Sequence, residues 1–178
     1  KIEDNFITIP KDSALDLGGI GKGYLLQILS DEIENKFDGY WISLGGDIIV
    51  DGFLEEGTPW KIFIEDISGK ANLSYVDNQG VKLAIATSGT TRRSTGTWNH
   101  IIDPRTGLST KSDVLSATVV DQDPIRADIL ASCLLILEDK ELRMFANKHK
   151  IDAYLQTNKY TKNSKNIIYL GNRDTFIP

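Results

Sequence analysis

Short apolar runs that alternate with polar residues recur along this chain and predict an arrangement made mostly of β-strands. The runs are bounded by Gly, Pro, Asn or Asp, the residues that favour turns between strands. Strands are predicted over residues 6–9, 40–44, 48–50, 60–65, 73–76, 81–86, 114–120, 151–156 and 167–170.

Two polar segments predict how these strands are connected. Gly45-Gly46-Asp47 lies between two predicted strands and favours a tight turn or a bulge. Residues 77–80, Asp-Asn-Gln-Gly, favour a hairpin turn that leads into the strand at 81–86. The succession of strands and turns indicates an antiparallel meander.

Three other segments are predicted to be helices. Asp123 followed by Pro124 is a typical helix start and predicts a helix over 124–137, and another is predicted over 141–150. A helix over 24–37 is predicted by apolar residues at helical spacing, namely Leu25, Ile28, Leu29, Ile33 and Phe37. Because no linker divides the chain, we expect one domain over 1–178, of the α+β class, with a mostly antiparallel sheet and packed helices.

Composition narrows the classes of function. The formal net charge is −5, which argues against nucleic acid as the main partner because phosphate backbones require clustered Lys and Arg. One cysteine, Cys133, excludes an internal disulfide and a cysteine-based zinc site, and its apolar neighbours favour a core position. No apolar run approaches the ~20 residues of a membrane span.

Residues 86–107 combine hydroxyl side chains, glycines, a basic pair and His100, one of the 2 histidines. Backbone N–H groups, hydroxyls and cations suit a phosphorylated ligand, and an imidazole can transfer protons near neutral pH. The basic pair is Arg92 and Arg93. The alternative is that this Ser/Thr/Gly-rich stretch only connects strands.

A second glycine-rich segment, residues 15–23, leads into the predicted helix at 24–37, with Lys22 at the junction. The start of a helix carries unpaired N–H groups and partial positive charge, so it favours anions. On this interpretation Lys22 is a solvent-facing cation that a phosphate would meet. The alternative is that the glycines merely allow close packing. The spacing matches neither a Walker A motif nor a convincing dinucleotide fingerprint.

A carboxylate and a hydroxyl share one face of the predicted helix at 124–137. Asp128 and Ser132 are four positions apart and have apolar neighbours. Burial of a lone carboxylate is unfavourable unless something positive meets it, and a hard cation such as Mg²⁺ would do so. The alternatives are a surface Asp128 or an ion pair with Arg126.

Five segments, in this order and spacing, resemble the ApbE-type FAD:protein FMN transferases, formerly known as thiamine-biosynthesis lipoproteins. They are Asp-Leu-Gly-Gly-Ile-Gly-Lys-Gly (16–23), Gly-Gly-Asp-Ile (45–48), Ala-Thr-Ser-Gly (86–89), His-Ile-Ile-Asp-Pro-Arg-Thr-Gly (100–107) and Ala-Asp-Ile-Leu-Ala-Ser (127–132). The first and fourth are the most specific. The resemblance covers most of residues 15–137 and implies an ApbE-like (T-fold-like) α+β fold.

The resemblance implies an Mg²⁺-dependent enzyme that takes FAD as substrate. It would cleave the pyrophosphate, attach FMN to a Thr or Ser of an acceptor flavoprotein subunit and release AMP. His100 matches the catalytic histidine. The metal ligands would be the Gly19 carbonyl, Asp128 and Ser132, where the family usually has Thr. Cofactor binding is expected from Asp16, Lys22, Thr87, Ser88, Gly89 and Ile102.

Two further expectations follow from the resemblance. Members carry a substantial portion before the glycine-rich segment, so we expect an N-terminal portion of the family to be missing here, and membrane association only through such a missing anchor. The implied location is extracytoplasmic or membrane-anchored, with a cytoplasmic one left open. Two alternative functions stay open: an Mg²⁺-dependent FAD pyrophosphatase that yields FMN and AMP, and a non-catalytic flavin-binding or interaction module.

Overall fold

The computed structural model describes residues 2–95, 98–158 and 166–178. The helices are α1 (Gly21–Ile33), α2 (Pro124–Leu134) and α3 (Asp139–His149). Single 3₁₀ turns lie at Glu55–Gly57 and Arg173–Thr175. The strands are β1 (Ile2–Glu3), β2 (Phe6–Ile7), β3 (Gly39–Leu44), β4 (Asp47–Gly52), β5 (Lys61–Glu65), β6 (Asn72–Asp77), β7 (Leu83–Gly89), β8 (Ser94–Thr95), β9 (Trp98–Asn99), β10 (Ile102–Asp103), β11 (Leu108–Ser109), β12 (Val114–Asp121), β13 (Asp152–Thr157) and β14 (Ile167–Leu170).

A six-stranded sheet organises the fold, with the strand order β14-β13-β12-β7-β4-β3. Every neighbouring pair in it is antiparallel. Helices α1 and α2 pack against each other, and α2 also packs on the central strands β7 and β12. The predicted α+β class with a mostly antiparallel sheet is confirmed. None of the described helices is long and apolar enough to cross a membrane.

The predicted meander is wrong in one place, because β5 and β6 form a separate two-stranded sheet and do not join the main sheet. Residues 77–80 therefore do not close a hairpin between β6 and β7. The buried Asn78 side chain holds this connection instead, since it accepts from the Trp60 amide and donates to the Gly52 and Val81 carbonyls. Alternation within each strand carries no information about which sheet the strand joins.

Both faces of the main sheet are covered by apolar side chains. Along β7, Ala84 and Ala86 belong to the core beneath the helices, whereas Ile85 belongs to the core beneath the β5–β6 hairpin. This alternation is the period of two expected for a strand buried on both faces. Cys133 lies half-buried in α2, and burial raises the pKa of its thiol, which disfavours a nucleophilic thiolate.

Several predicted boundaries shift for identifiable reasons. Helix α1 ends at Ile33 instead of 37, and Asn35 follows it with a φ of 63°. Helix α2 ends at Leu134 instead of 137, and the Thr110 and Ser112 hydroxyls donate to the Leu135 and Leu137 carbonyls just beyond it. These carbonyls are satisfied by side chains rather than by another helical turn.

Candidate active site

Two carboxylates and one ammonium group meet where α1, α2 and β4 converge. Asp47 and Asp128 are each only 2% exposed. Lys22 forms an ion pair with Asp47, and its Nζ lies 3.6 Å from Asp128 Oδ1. Burial raises the pKa of Asp47, and the hydrogen bond from Lys22 opposes that rise. With both carboxylates ionised, the cluster carries one more negative charge than positive charges.

The turn before β4 places Asp47 in this cluster. Gly45 and Gly46 have φ values of 59° and 97°, in the left-handed region that favours glycine. They connect β3 to β4 as the tight turn that the sequence predicts. Asp47 follows directly, and its Oδ1 accepts from the Thr87 amide at 3.1 Å. Asp47 thus joins the start of β4 to β7 as well as to α1.

Gly23 has no side chain, and this lets α1 pack closely against the start of α2. A Cβ at this position would lie 2.4 Å from the Pro124 carbonyl oxygen, too close for any larger residue without movement. The close approach lets the Gly23 amide donate to Asp128 Oδ2 at 3.0 Å. At Gly23, therefore, the close-packing interpretation of the glycine-rich segment is confirmed.

Asp128 is neither at the surface nor paired with Arg126, so both alternatives for its environment are wrong. Arg126 Nε donates to Asp121 Oδ2 at 2.7 Å instead. As the helical spacing predicts, Asp128 and Ser132 share one face of α2, where Asp128 contacts α1 and Ser132 contacts β7. Ser132 Oγ lies 3.0 Å from Ser88 Oγ, which connects α2 to β7.

The Lys22 side chain is only partly solvent-facing and has partners within the protein. Its side chain is 38% exposed, and its ammonium group lies between two buried carboxylates. Sequence reasoning missed this because both partners are remote in the chain: Asp47 is 25 positions away. The local pattern around Asp47 indicates only a turn, although the Gly-Gly-Asp-Ile segment was the signal that could have identified this residue as part of the site.

The Ala-Thr-Ser-Gly segment is the end of a strand and not the start of a loop. Thr87, Ser88 and Gly89 extend β7, paired with Thr118, Ala117 and Ser116 of β12. Successive side chains of a strand point to opposite faces, so Ser88 faces α2 while Thr87 faces away from it. Thr87 Oγ1 lies 2.9 Å from Thr118 Oγ1, at the wall of a cavity of about 400 Å³ beneath the β5–β6 hairpin.

Two predicted residues lie on the exposed loop before α1. Asp16 Oδ1 accepts from the Gly18 amide at 2.7 Å, a local contact that shapes the loop. Gly19 is exposed, and a Cβ there would meet nothing within 4 Å. The assignments of Asp16 to flavin and of the Gly19 carbonyl to a metal stay predictions.

His100 and Ile102 lie on a separate segment, which leads into the β10–β11 hairpin. His100 Nδ1 lies 3.3 Å from the Arg93 carbonyl oxygen. A carbonyl only accepts, so this contact requires a proton on Nδ1 and leaves the Nε2 lone pair free. Ile102 is 47% exposed at the start of β10. Two members of the 86–107 stretch, Gly96 and Thr97, lie outside the described residues.

The donors near α2 suit a hard cation better than a soft one. Within the described residues, no group of three or more His, Cys, Asp or Glu could hold a metal ion. Asp128 and Ser132 offer a carboxylate and a hydroxyl, both oxygen donors of the kind that Mg²⁺ prefers. The excess negative charge of the cluster also favours a cation there.

A family model described as the ApbE family matches residues 2–155. The chain belongs to the ApbE family. The resemblance inferred from the sequence motifs is thereby confirmed.

Individual relatives agree with this membership. The chain is 32% identical over 169 residues to the FAD:protein FMN transferase of Vibrio cholerae, covering 86% of this chain and 48% of the relative. It is 28% identical over 153 residues to the FAD:protein FMN transferase of Escherichia coli, covering 82% of this chain and 43% of that protein. The chain thus spans about half the length of the curated relatives it matches.

Solved structures of the family share the fold. The flavin transferase ApbE from Vibrio cholerae superposes with a TM-score of 0.77 at 27% identity, over 92% of this chain and 52% of that one. The ApbE protein from Thermotoga maritima gives a TM-score of 0.73 at 26% identity, over 88% of this chain and 51% of that one. The arrangement of helices packed on an antiparallel sheet is therefore shared with these ApbE structures.

Proposed function

We propose that this chain is an FAD:protein FMN transferase that requires Mg²⁺. The observation that carries the proposal is the cluster at α1, α2 and β4, where buried Asp47 and Asp128 share the single ammonium group of Lys22. A buried site with excess negative charge and oxygen donors is suited to a divalent cation, and the relatives that the chain matches are named for FMN transfer from FAD.

The reaction breaks the phosphoanhydride bond of FAD and forms a phosphoester bond to the acceptor. The hydroxyl oxygen of an acceptor Thr or Ser attacks the FMN phosphorus, and the pyrophosphate bond to AMP breaks. AMP leaves with the bridging oxygen, and the acceptor's proton passes to a base. Because phosphoryl transfer depends mainly on positioning and charge neutralisation, the protein needs few covalent partners.

His100 is the proposed base. With Nδ1–H donated to the Arg93 carbonyl, Nε2 is free to accept the proton of the attacking hydroxyl. The side chain is partly exposed, so an acceptor segment can approach it from solvent. This role needs no rearrangement of the imidazole tautomer.

The residues present fit Mg²⁺. Asp128, Ser132 and the Gly19 carbonyl would hold it, and bound Mg²⁺ supplies neutralisation of the charge on the pyrophosphate oxygens. Lys22 partly neutralises the two carboxylates, and its exposed portion would leave it able to meet a phosphate. Asp16, Thr87, Ser88, Gly89 and Ile102 would bind the remainder of FAD.

Incubation with FAD, Mg²⁺ and an unflavinylated flavoprotein subunit tests the proposal. The expected result is a covalently fluorescent subunit band together with free AMP. Release of both FMN and AMP without a labelled subunit would replace the transferase by a pyrophosphatase. Unchanged FAD with measurable FAD binding would leave only a flavin-binding module. His100→Gln in the same incubation separates the base from the binding residues.

A further inference from the structure

Arg105, at the tip of the β10–β11 hairpin, contacts two other parts of the chain. Its Nε donates to Asp103 Oδ1 at 3.0 Å, and its Nη2 donates to Asp103 Oδ2 at 3.0 Å, a two-point contact within the hairpin. Nη1 donates to Glu141 Oε1 of α3 at 3.2 Å. Nη2 also donates to the Ile136 carbonyl, just beyond α2, at 2.8 Å. The guanidinium therefore ties the hairpin to the carboxyl end of α2.

A second contact fixes the base of the same hairpin to the same end of α2. The buried Thr110 hydroxyl donates to the Leu135 carbonyl at 2.8 Å. The Thr110 amide in turn donates to the Ile101 carbonyl at 2.8 Å. Its neighbour Ser109 donates to the Asn99 carbonyl at 2.6 Å. Asn99 and Ile101, on either side of His100, are thus held by Ser109 and Thr110 at the end of β11. Thr110 is in turn bonded to the end of α2.

Helix α2 also carries Asp128 and Ser132, so the orientation of α2 determines where these proposed metal ligands lie relative to the proposed base. The proposed base lies on the segment that leads into the hairpin, and two of the proposed metal ligands, Asp128 and Ser132, lie on the helix. Misplacement of a reacting group by about 1 Å can cost on the order of 100-fold in rate. A rigid link between hairpin and helix is therefore expected to matter for turnover more than for folding.

We propose that Arg105 is a positioning residue that sets His100 relative to the metal-ligating face of α2. The inference rests on the proposed function, because it concerns the same transfer reaction. The side chain of Arg105 is 49% exposed and that of Glu141 is 41% exposed. Exposed ion pairs contribute little to stability. A planar guanidinium donates to three acceptor groups at once in fixed directions, and the ammonium group of lysine cannot reproduce that geometry.

Arg105→Gln, Arg105→Lys and Arg143→Gln test the proposal in the full 178-residue chain. Arg143 is an exposed arginine of α3 and serves as the matched control. Both Arg105 variants are expected to lower kcat for FMN transfer by ~10- to 100-fold with KM for FAD within about twofold of the parent value. Arg143→Gln is expected to match the parent. Equal kcat in parent and Arg105→Gln, or a parallel loss in kcat, FAD affinity and thermal midpoint, would overturn the positioning role.

Imidazole NMR spectra provide a readout that does not depend on turnover. The chain has 2 histidines, so the signals of His100 and His149 can be assigned with His100→Gln alone. In Arg105→Gln the His100 imidazole signals are expected to shift or broaden, while those of His149 stay in place. Unchanged His100 signals would overturn the inference. If the parent transfers no flavin, the proposed function fails, and these spectra alone decide whether Arg105 positions His100.

Discussion

The carboxylate of Asp128 and the backbone amide of Gly23 are joined by a hydrogen bond of 3.0 Å across the contact between α1 and α2. This bond depends on the absence of a side chain at Gly23, because the two helices touch there. It brings the first turn of α1, with Lys22, to the face of α2 that carries Asp128. The glycine-rich segment thus shapes the site by packing as well as by its exposed loop.

Gly23→Ala is expected to lower the free energy of unfolding by about 1–3 kcal/mol, because the new methyl group would overlap the Pro124 carbonyl. Gly21→Ala is the matched control: it lies in the same turn of α1, and a Cβ there meets nothing within 4 Å. The free energy of unfolding of that variant should stay within about 1 kcal/mol of the parent value. Urea unfolding of both variants measures the difference, and equal stabilities would mean that α1 tolerates displacement from α2.

Lys22→Met should destabilise the fold by about 1–3 kcal/mol, because it leaves Asp47 and Asp128 buried without their shared cation. Adding Asp47→Asn to that variant should restore part of the lost stability, because only one buried carboxylate, Asp128, then lacks its cation. Lys36→Met, at an exposed lysine, is the control. Thermal unfolding of the parent, both single variants and the double variant provides the cycle. Strict additivity of the two substitutions would show that Lys22 and Asp47 do not interact.

A pH titration tests the contacts of Arg105 independently of activity. The hydrogen bond from Arg105 lowers the pKa of Asp103 below its ordinary value of 3.8. The pKa of Glu141 is lowered mainly by the Glu138 amide and less by Arg105. Stability from these carboxylates is present above their ordinary pKa values and is lost as pH falls through the lowered ones.

In Arg105→Gln the pKa of Asp103 is therefore expected to rise toward its ordinary value, with a smaller rise for Glu141. The stability that the lowered pKa values give the parent above their ordinary range should shrink in the variant, so its free energy of unfolding falls less as pH is lowered. Asp66 is the internal control, because its pKa is lowered by Ser68 and Lys70 instead. NMR titration of the carboxyl groups gives each value separately. An Asp103 pKa that does not differ between parent and variant would contradict the hydrogen-bonded arrangement.

Replacement of His100 tests the proposed base. His100→Gln is expected to lower the transfer rate by ~10²–10⁴-fold, the usual contribution of a proton-transfer group. Stability should change by less than about 0.5 kcal/mol, because the side chain lies outside the core. His149→Gln, at the other histidine, should transfer flavin at the parent rate. Transfer at a tenth of the parent rate or more in His100→Gln would remove this residue from the role of base.

Local sequence patterns predicted the helices and strands of this fold, whereas contacts between distant residues determine how these elements pack together. Apolar runs located β4, β7 and β12, alternation located β5 and β6, and the Asp123-Pro124 pair located the start of α2, because these signals depend on neighbouring residues. Assignment of β5 and β6 to a separate sheet was not predictable in the same way. A strand's pattern reports which of its faces is buried and not which strand lies beside it.

The same limit applies to the site. The i,i+4 spacing of Asp128 and Ser132 correctly indicated one shared helix face, since that geometry is local. The partners of Lys22 come from β4 and α2, so its environment depends on how three elements pack. Arg105 reaches Glu141 across 36 positions, and nothing in the Asp-Pro-Arg-Thr-Gly turn indicates this contact. The sequence therefore indicated which residues belong to the candidate site but not which residues they contact.

The most direct test of the proposed function measures AMP and covalently bound flavin together, with Asp128 as the variable. In the presence of FAD, Mg²⁺ and an acceptor subunit, the parent is expected to release one AMP for each flavin bound to the subunit. Asp128→Asn keeps the shape of the side chain but removes its charge, so it should bind Mg²⁺ weakly, remain folded and release no AMP. Excess EDTA should abolish AMP release by the parent. Full, stoichiometric transfer in EDTA or by Asp128→Asn would contradict the central claim.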